Sequence, residues 1–328
     1  MSTTKAEASA TGMSTAVLVA ILITVLAWAS AFVVIRGVGQ HLGGGELALG
    51  RLLVGTVLLS LLLIRRPWVR PNRREWLLIV VYGVAWFGAY NVTLNIAEHT
   101  LDAGTTAMIV NIGPILIALG AGVFLGEGIP KWLAIGAGVA FGGVVLIGLS
   151  SGFTGLGNTV GILWALASAV TYTIGVLCQK HVMRRIPSTQ VTWLGCAIGT
   201  VVCLPFAGGL IAQVQAAPAP AVLGVIYLGA VPTALAFTTW GYALSRIPAG
   251  QLGVTTYVVP AIVIVLGFVA FGEIPVPLAI IGGIICLIGV ALSRRRTGTR
   301  REPAVVTGPV AAEPGAPVVS DDHQNLSQ

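Results

Sequence analysis

Arg51 stands inside the apolar run LALGRLLVGTVLL. A guanidinium in such surroundings can hold the carboxylate of a small solute, snorkel its head toward water, or bond main-chain carbonyls between helices. Aromatic and amide side chains gather in other apolar runs and offer the rest of a binding surface. Phe87, Asn91 and Asn95 recur every four residues and so share one helix face, flanked by Trp86 and Tyr90. Trp28 and Ser30, Trp164 and Tyr172, Thr233, Phe237 and Trp240, and Thr256 and Tyr257 add ring faces and hydroxyls. Such a set suits an amphipathic solute, with rings for its apolar body and a few hydrogen bonds for its polar end. Helix packing and interfacial aromatic belts account for the same residues taken one by one.

Prolines and glutamates form a second pattern. In GPILIALGAGVFLGE (113–127) and VPAIVIVLGFVAFGE (259–273), a proline and a glutamate stand thirteen residues apart on apolar runs. Pro114 and Pro260 each remove a helix hydrogen bond and can kink a helix partway along its length. The freed carbonyls, near Asn111 and Tyr257, would then serve a site at the bend; otherwise the bend only fits neighbouring helices together. Glu127 and Glu273 each end an apolar run and precede prolines (EGIP, EIPVP) suited to the first turn of a following helix. A carboxylate there favours a helix start. The alternative role is a gate charge at the membrane surface.

The remaining ionisable residues exclude as much as they suggest. All eleven carboxylates, Glu7, Glu46, Glu75, Glu98, Asp102, Glu127, Glu273, Glu302, Glu313, Asp321 and Asp322, fall in tails, loops or span ends. None is placed where a proton relay through the middle of a bilayer would need it. Cys178, Cys196, Cys203 and Cys286 lie in apolar segments without C-x-x-C spacing, and His41, His99, His181 and His323 form no cluster with them. No disulfide framework, metal site or other cofactor is expected.

The elements that must position these groups are membrane helices. The chain has 328 residues, of which 56% are hydrophobic and only 9% charged; a soluble domain carries about 25% charged residues. The apolar residues fall into blocks of about 20, the length of a membrane-crossing helix. Ten spans are expected, at 15–36, 45–64, 75–97, 103–126, 131–149, 159–180, 188–211, 219–244, 249–272 and 276–293. The expected fold class is therefore all-α integral membrane, seated in a lipid bilayer. The net charge of +7 gathers in the connections and does not mark a nucleic-acid surface. With a cytoplasmic N-terminus, sixteen Lys and Arg fall in inside loops and tails, Arg36 alone lies outside, and Arg51 lies within a span. This positive-inside pattern places both termini in the cytoplasm. The tails are residues 1–14 and 294–328, the latter basic at first and then Pro- and Ala-rich and disordered.

The first half of the chain resembles the second. At an offset of 146, Ala103-Gly104 falls on Ala249-Gly250, Pro114 on Pro260, and Gly126-Glu127 on Gly272-Glu273. Gly83, Ala97, Gly136 and Gly143 fall on Gly229, Ala243, Gly282 and Gly289 at the same offset. At 144, Gly55-Thr56-Val57 falls on Gly199-Thr200-Val201, Trp28 on Tyr172 and Arg36 on Lys180. Five spans per half is an odd number, so the halves, 15–150 and 159–293, enter the membrane from opposite sides. Ten transmembrane helices then form two inverted five-helix repeats, with a solute site expected between them near the midplane. Gly136, Gly138, Gly142, Gly143, Gly282, Gly283 and Gly289 let helices approach closely, within one chain or across a homodimer contact.

Two such halves, each with an Ala-Gly start, a proline, a Gly-Glu and a Gly-rich last helix, resemble the EamA repeats of the drug/metabolite transporter superfamily over residues 15–293. The resemblance implies a ten-helix inner-membrane carrier that exports an amino acid or another small metabolite. It favours a structural role for Arg51, since an arginine in the second helix accompanies differing substrates in this family. The small multidrug-resistance relatives bind cations and protons at a central glutamate, and this chain departs from that pattern. The residues therefore speak for a neutral, zwitterionic or anionic solute rather than a drug/cation proton antiporter. The inverted repeat likewise speaks against a membrane-embedded enzyme or receptor.

Overall fold

A computed structural model describes residues 14–124, 131–150, 156–247, 252–253 and 255–293. Every regular element among them is a helix. Six stretches, Thr15–Val38, Gly44–Leu63, Arg73–Thr100, Thr159–Val182, Ser188–Ala216 and Ala219–Leu244, are long and apolar enough to cross a membrane. Four shorter apolar helices accompany them, and the chain is a multi-pass membrane protein. Glu127 and the expected C-terminal tail lie outside the described residues, as does the N-terminal tail up to Gly12 and Met13.

The helices begin where the sequence supplies caps. Helix α1 (Thr15–Val38) starts at Ser14, whose hydroxyl accepts from the Val17 amide at 3.4 Å. Helix α2 (Gly44–Leu63) carries Arg51. Helix α3 (Arg73–Thr100) opens with a capping box, in which Asn72 Oδ1 accepts from the Glu75 amide at 2.9 Å and Glu75 Oε2 from the Asn72 amide at 2.7 Å. Asp102 caps α4 (Ala103–Val110) through the Thr105 amide at 2.8 Å. There follow α5 (Gly113–Phe124), α6 (Lys131–Ser150), α7 (Leu156–Val182), α8 (Ser188–Ala216), α9 (Ala219–Leu244), α10 (Val259–Phe271) and α11 (Pro277–Leu292).

The prolines act differently from the expected mid-helix kink. The chain leaves the helix at Asn111 and Ile112, and Pro114 stands in the first turn of α5. Pro260 likewise stands in the first turn of α10, after a 3₁₀ turn at Thr256–Val258. A first-turn proline lacks an N–H that would have had no helical partner anyway. The breaks are therefore made by whole-helix interruption, and the proline restarts the helix. Glu273 also departs from expectation. Val276 precedes α11 and no side chain caps it, so Glu273 does not serve that helix start. It pairs instead with Arg36, as described below. Gly272 ends α10 with φ 67°, a left-handed conformation that suits glycine.

Contacts recur at the spacing of the repeat. Both α3 and α9 contain a π-helical segment, Gly83–Ala89 and Gly229–Leu235, at the 146-residue offset. A Cβ on Gly83 would meet Ile198 at 2.7 Å and the Gly195 carbonyl at 2.9 Å; one on Gly229 would meet Val54 at 2.5 Å and the Arg51 carbonyl at 2.6 Å. Ile198 and Gly195 are the offset mates of Val54 and Arg51. Thr56 and Thr200, also mates, touch hydroxyl to hydroxyl at 2.9 Å. Gly136 packs on Gly289 and Gly143 on Gly282, backbone to backbone, joining α6 to α11. These four glycines serve packing inside the chain and not a contact between subunits. Gly138 and Gly142 face open space.

Candidate functional site

A cavity of about 670 Å³, counting its open mouth, lies where α1, α2, α3, α7 and α9 meet the two helix breaks. Of the residues expected to form a site, Trp28, Arg51, Tyr90, Asn111, Pro114, Tyr172, Phe237 and Thr256 line it. They come from both halves of the sequence.

Arg51 does not snorkel. It is 4% exposed, and its Nε donates to Thr233 Oγ1 at 3.2 Å. Thr233 is itself anchored, donating to the Leu228 carbonyl at 2.8 Å across the π segment of α9. It thus positions Arg51 without lining the cavity. Arg51 Nη1 is buried and has no hydrogen-bond partner. A buried donor left unmet is costly.

The two breaks are tied together. Asn111 Nδ2 donates to the Thr256 carbonyl at 2.9 Å, bridging the gap before α5 to the turn before α10. Asn111 Oδ1 is buried without a partner. Two lining residues, Arg51 and Asn111, thus each carry a buried polar atom without a partner, and Arg51 is the single ionised side chain among the described lining residues. No carboxylate lines the cavity among the described residues.

Aromatic rings make up much of the remaining wall. Trp86 packs on Tyr172 at 5.1 Å and on Phe237 at 5.0 Å between ring centroids. Trp28 packs on Phe237 at 5.6 Å and on the buried Trp240 at 5.0 Å. Tilted and edge-on contacts of this kind are favoured and hold the rings in place. Trp28 Nε1 donates to the Pro232 carbonyl at 3.3 Å, a further tie between α1 and the α9 π segment.

The expected face of α3 is the wrong one. Trp86, Tyr90 and Leu94 line the cavity, whereas Phe87, Asn91 and Asn95 face neighbouring helices and their own backbone. Asn91 Nδ2 donates to the carbonyls of Phe87 (2.8 Å) and Trp86 (3.3 Å), within the π segment, and Asn95 Nδ2 to the Gly44 carbonyl of α2 at 3.0 Å. Both Nδ2 groups are thus engaged with main chain, while both Oδ1 atoms are buried without a partner. Phe87 packs on Tyr82 and Phe237. Ser30 shares a hydrogen bond of 2.7 Å with Tyr227 outside the cavity, Trp164 is 37% exposed, and Trp240, Tyr257 and Pro260 do not line the cavity.

Sequence reasoning missed Ala31, Phe32, Leu94, Ala107, Val110 and Val259 as lining, and treated Trp86 only as a flank. Helical spacing alone links Trp86, Tyr90 and Leu94, and also Trp28 and Phe32. The polarity of Asn91 and Asn95 pointed to the neighbouring face.

Glu98 stands near a span end, as the sequence places it, but it is buried there. It belongs to α3 and is 2% exposed, and neither carboxylate oxygen has a partner. It lies one turn beyond Leu94. Its carbonyl accepts from Arg36 Nη1 at 3.0 Å, while Arg36 Nε and Nη2 donate to Glu273 Oε1 at 3.2 and 3.0 Å. At the other end of α3, Arg185 binds Glu75 and the Arg70 carbonyl, and the Glu75 carboxylate raises the Arg185 pKa above its ordinary value.

Comparison with known proteins agrees with this architecture. A probable terminal-alkyne amino-acid exporter of Streptantibioticus cattleyicolor is 34% identical over 88% of this chain and 97% of its own. An uncharacterised transporter of Bacillus subtilis is 32% identical over 81% of this chain and 87% of its own. A probable amino-acid metabolite efflux pump of Salmonella typhimurium is 24% identical over 83% and 92%. A solved crystal structure with 18% identity shares the fold, with a TM-score of 0.57 over 85% of this chain and 96% of that one. The model of the EamA-like transporter family matches residues 15–149 and again 159–295. The chain belongs to the EamA-like transporter family.

Proposed function

We propose that this protein is a secondary transporter that exports an amino acid or a similar small metabolite across the inner membrane by alternating access. The observation that carries the reading is the cavity itself, walled by rings and lined by one buried guanidinium with an unmet donor and, on another residue, an amide with an unmet acceptor. A carboxylate would meet Arg51, an amino group would meet Asn111 Oδ1 and the ring faces, and an apolar side chain would fill the aromatic wall. The names of the relatives from Streptantibioticus and Salmonella support an amino-acid-like cargo.

Ten spans in two inverted repeats are part of this proposal. Mate-to-mate contacts at Thr56 and Thr200, the reciprocal packing of Gly83 and Gly229, and the crossed glycine pairs of α6 and α11 support it. The Arg36–Glu273 bridge ties α1 to the segment before α11 and fits a gate. Positive-inside bias assigns that end to the outside and both termini to the cytoplasm.

Flux into proteoliposomes tests the proposal. Purified protein should carry labelled L-phenylalanine or L-norleucine down its gradient, unchanged, and Arg51→Gln should slow it. Chemical conversion of the solute would instead indicate an enzyme. Carriage of cationic dyes driven by a proton gradient would indicate a drug/cation antiporter.

A further inference from the structure

Glu98 takes no part in the cavity, yet it is the most deeply buried carboxylate among the described residues and both of its oxygens lack donors. The charged and titratable groups facing it are Arg36 from α1, Arg51 from α2, Tyr90 on its own helix, Asp102 before α4, and Glu273 between α10 and α11. His99 follows it in sequence and lies near Arg36 and Glu46. The part of α7 that packs near this end, 156–165, has no ionisable side chain. Among the described residues, only Arg36 is both close and positive at this end. Its guanidinium is already committed, with Nη1 on the Glu98 main chain and Nε and Nη2 on Glu273. Glu273 Oε2 is buried without a partner, so the pair depends on that guanidinium alone.

We propose that Glu98 is a proton-binding site that sets the Arg36–Glu273 bridge. As the neutral acid, Glu98 leaves Arg36 to Glu273 and that end of the protein stays tied. When the carboxyl gives its proton to water, a buried anion without donors remains, which is costly. The nearest compensation is the Arg36 guanidinium, drawn from Glu273 to the Glu98 side chain. Arg36 is already anchored on the Glu98 main chain, so side-chain rotation suffices for the exchange. Loss of one proton and release of the bridge are then a single event, and rebinding of a proton restores it. Within the transporter reading, on which this extension rests, solute passage at the outer end depends on pH there.

Accessibility of the cavity tests this apart from transport. A Leu94→Cys reporter in the full chain, in lipid nanodiscs, is labelled with a charged maleimide from pH 5.5 to 8.5. Rates are divided by those of the denatured chain, which removes intrinsic thiol reactivity, and the parent chain's labelling is subtracted. The corrected rate should rise at least about fivefold with pH. Glu98→Gln should hold it low and flat, Glu98→Asp should restore a pH response, and Arg36→Gln should hold it high and flat. A wild-type pH response that survives Glu98→Gln, a flat wild-type profile, or an Arg36→Gln profile like wild type would each overturn the proposal. If flux of L-phenylalanine is absent but the accessibility pattern holds, the transport reading fails and the proton site stands. Thermal unfolding of each variant separates these outcomes from misfolding.

Discussion

Arg51→Gln separates a solute-binding arginine from a structural one. The structural view holds that Arg51 joins helices through Thr233, and then its loss should weaken the fold. Yet Arg51 makes that one bond, at 3.2 Å, and leaves Nη1 unmet in a buried setting. A desolvated charge with no ion-pair partner and an unmet donor carries its desolvation cost uncompensated, so its removal relieves that cost. The melting temperature without ligand should therefore stay within about 3 °C or rise. Binding should behave in the opposite sense. A hydrogen bond between charged groups contributes about 1.5–3 kcal/mol, equivalent to about 10- to 140-fold in affinity. Titration of purified protein with L-phenylalanine, L-norleucine and the matching amides reads this directly. The wild type should prefer each acid over its amide by a factor in that range, and Arg51→Gln should lose most of the preference. Thr233→Val removes the bond to Nε but keeps the charge, and should cost about fivefold, as expected for about 1 kcal/mol. An acid-over-amide preference that is the same in wild type and Arg51→Gln would refute the reasoning, as would unfolding of the variant with ligand-independent loss of protein.

Other changes test the scaffold. Gly143→Ala would set a Cβ 2.5 Å from the Gly282 carbonyl and 2.6 Å from the Cys286 amide; backbone cannot yield as a side chain would, so it should destabilise by about 1–3 kcal/mol in denaturant titration. Gly138→Ala and Gly142→Ala meet nothing within 4 Å and should stay within about 0.5 kcal/mol of wild type. Asn111→Ala deletes the bridge between the two breaks and should cost about 0.5–1.5 kcal/mol of stability while weakening amino-acid binding. Asn72→Ala removes half of the capping box of α3 and should cost about 0.5–2 kcal/mol without altering solute affinity.

The relation between sequence and site is instructive at α3. Its period and polarity placed Asn91 and Asn95 toward a cavity, because an amide in an apolar helix needs a partner. The π segment supplies that partner from the helix itself, since Asn91 satisfies the Phe87 and Trp86 carbonyls. The cavity face lies one residue round, about 100° on a helix of 3.6 residues per turn, at Trp86, Tyr90 and Leu94. Glu98 stands near the span end where the sequence puts it, but its burial is not legible there. A carboxylate near a span end ordinarily reaches water, but here it is 2% exposed, with Arg36 of α1, Arg51 of α2 and Asp102 among its charged neighbours.

Composition and periodicity determined that this chain lives in a membrane as a bundle of apolar helices, because so few charges cannot cover a soluble fold of this length. The offset matches determined where its halves correspond, and with them the family. Those properties are additive along the chain. Which side chains meet was decided only by tertiary structure. The pairing of Arg51 with Thr233, of Asn111 with the Thr256 carbonyl, and of Arg36 with Glu273 joins residues more than 140 positions apart. Such contacts depend on how helices rotate and cross. A π segment or a broken turn resets that rotation by local hydrogen bonding that a hydrophobic pattern does not record.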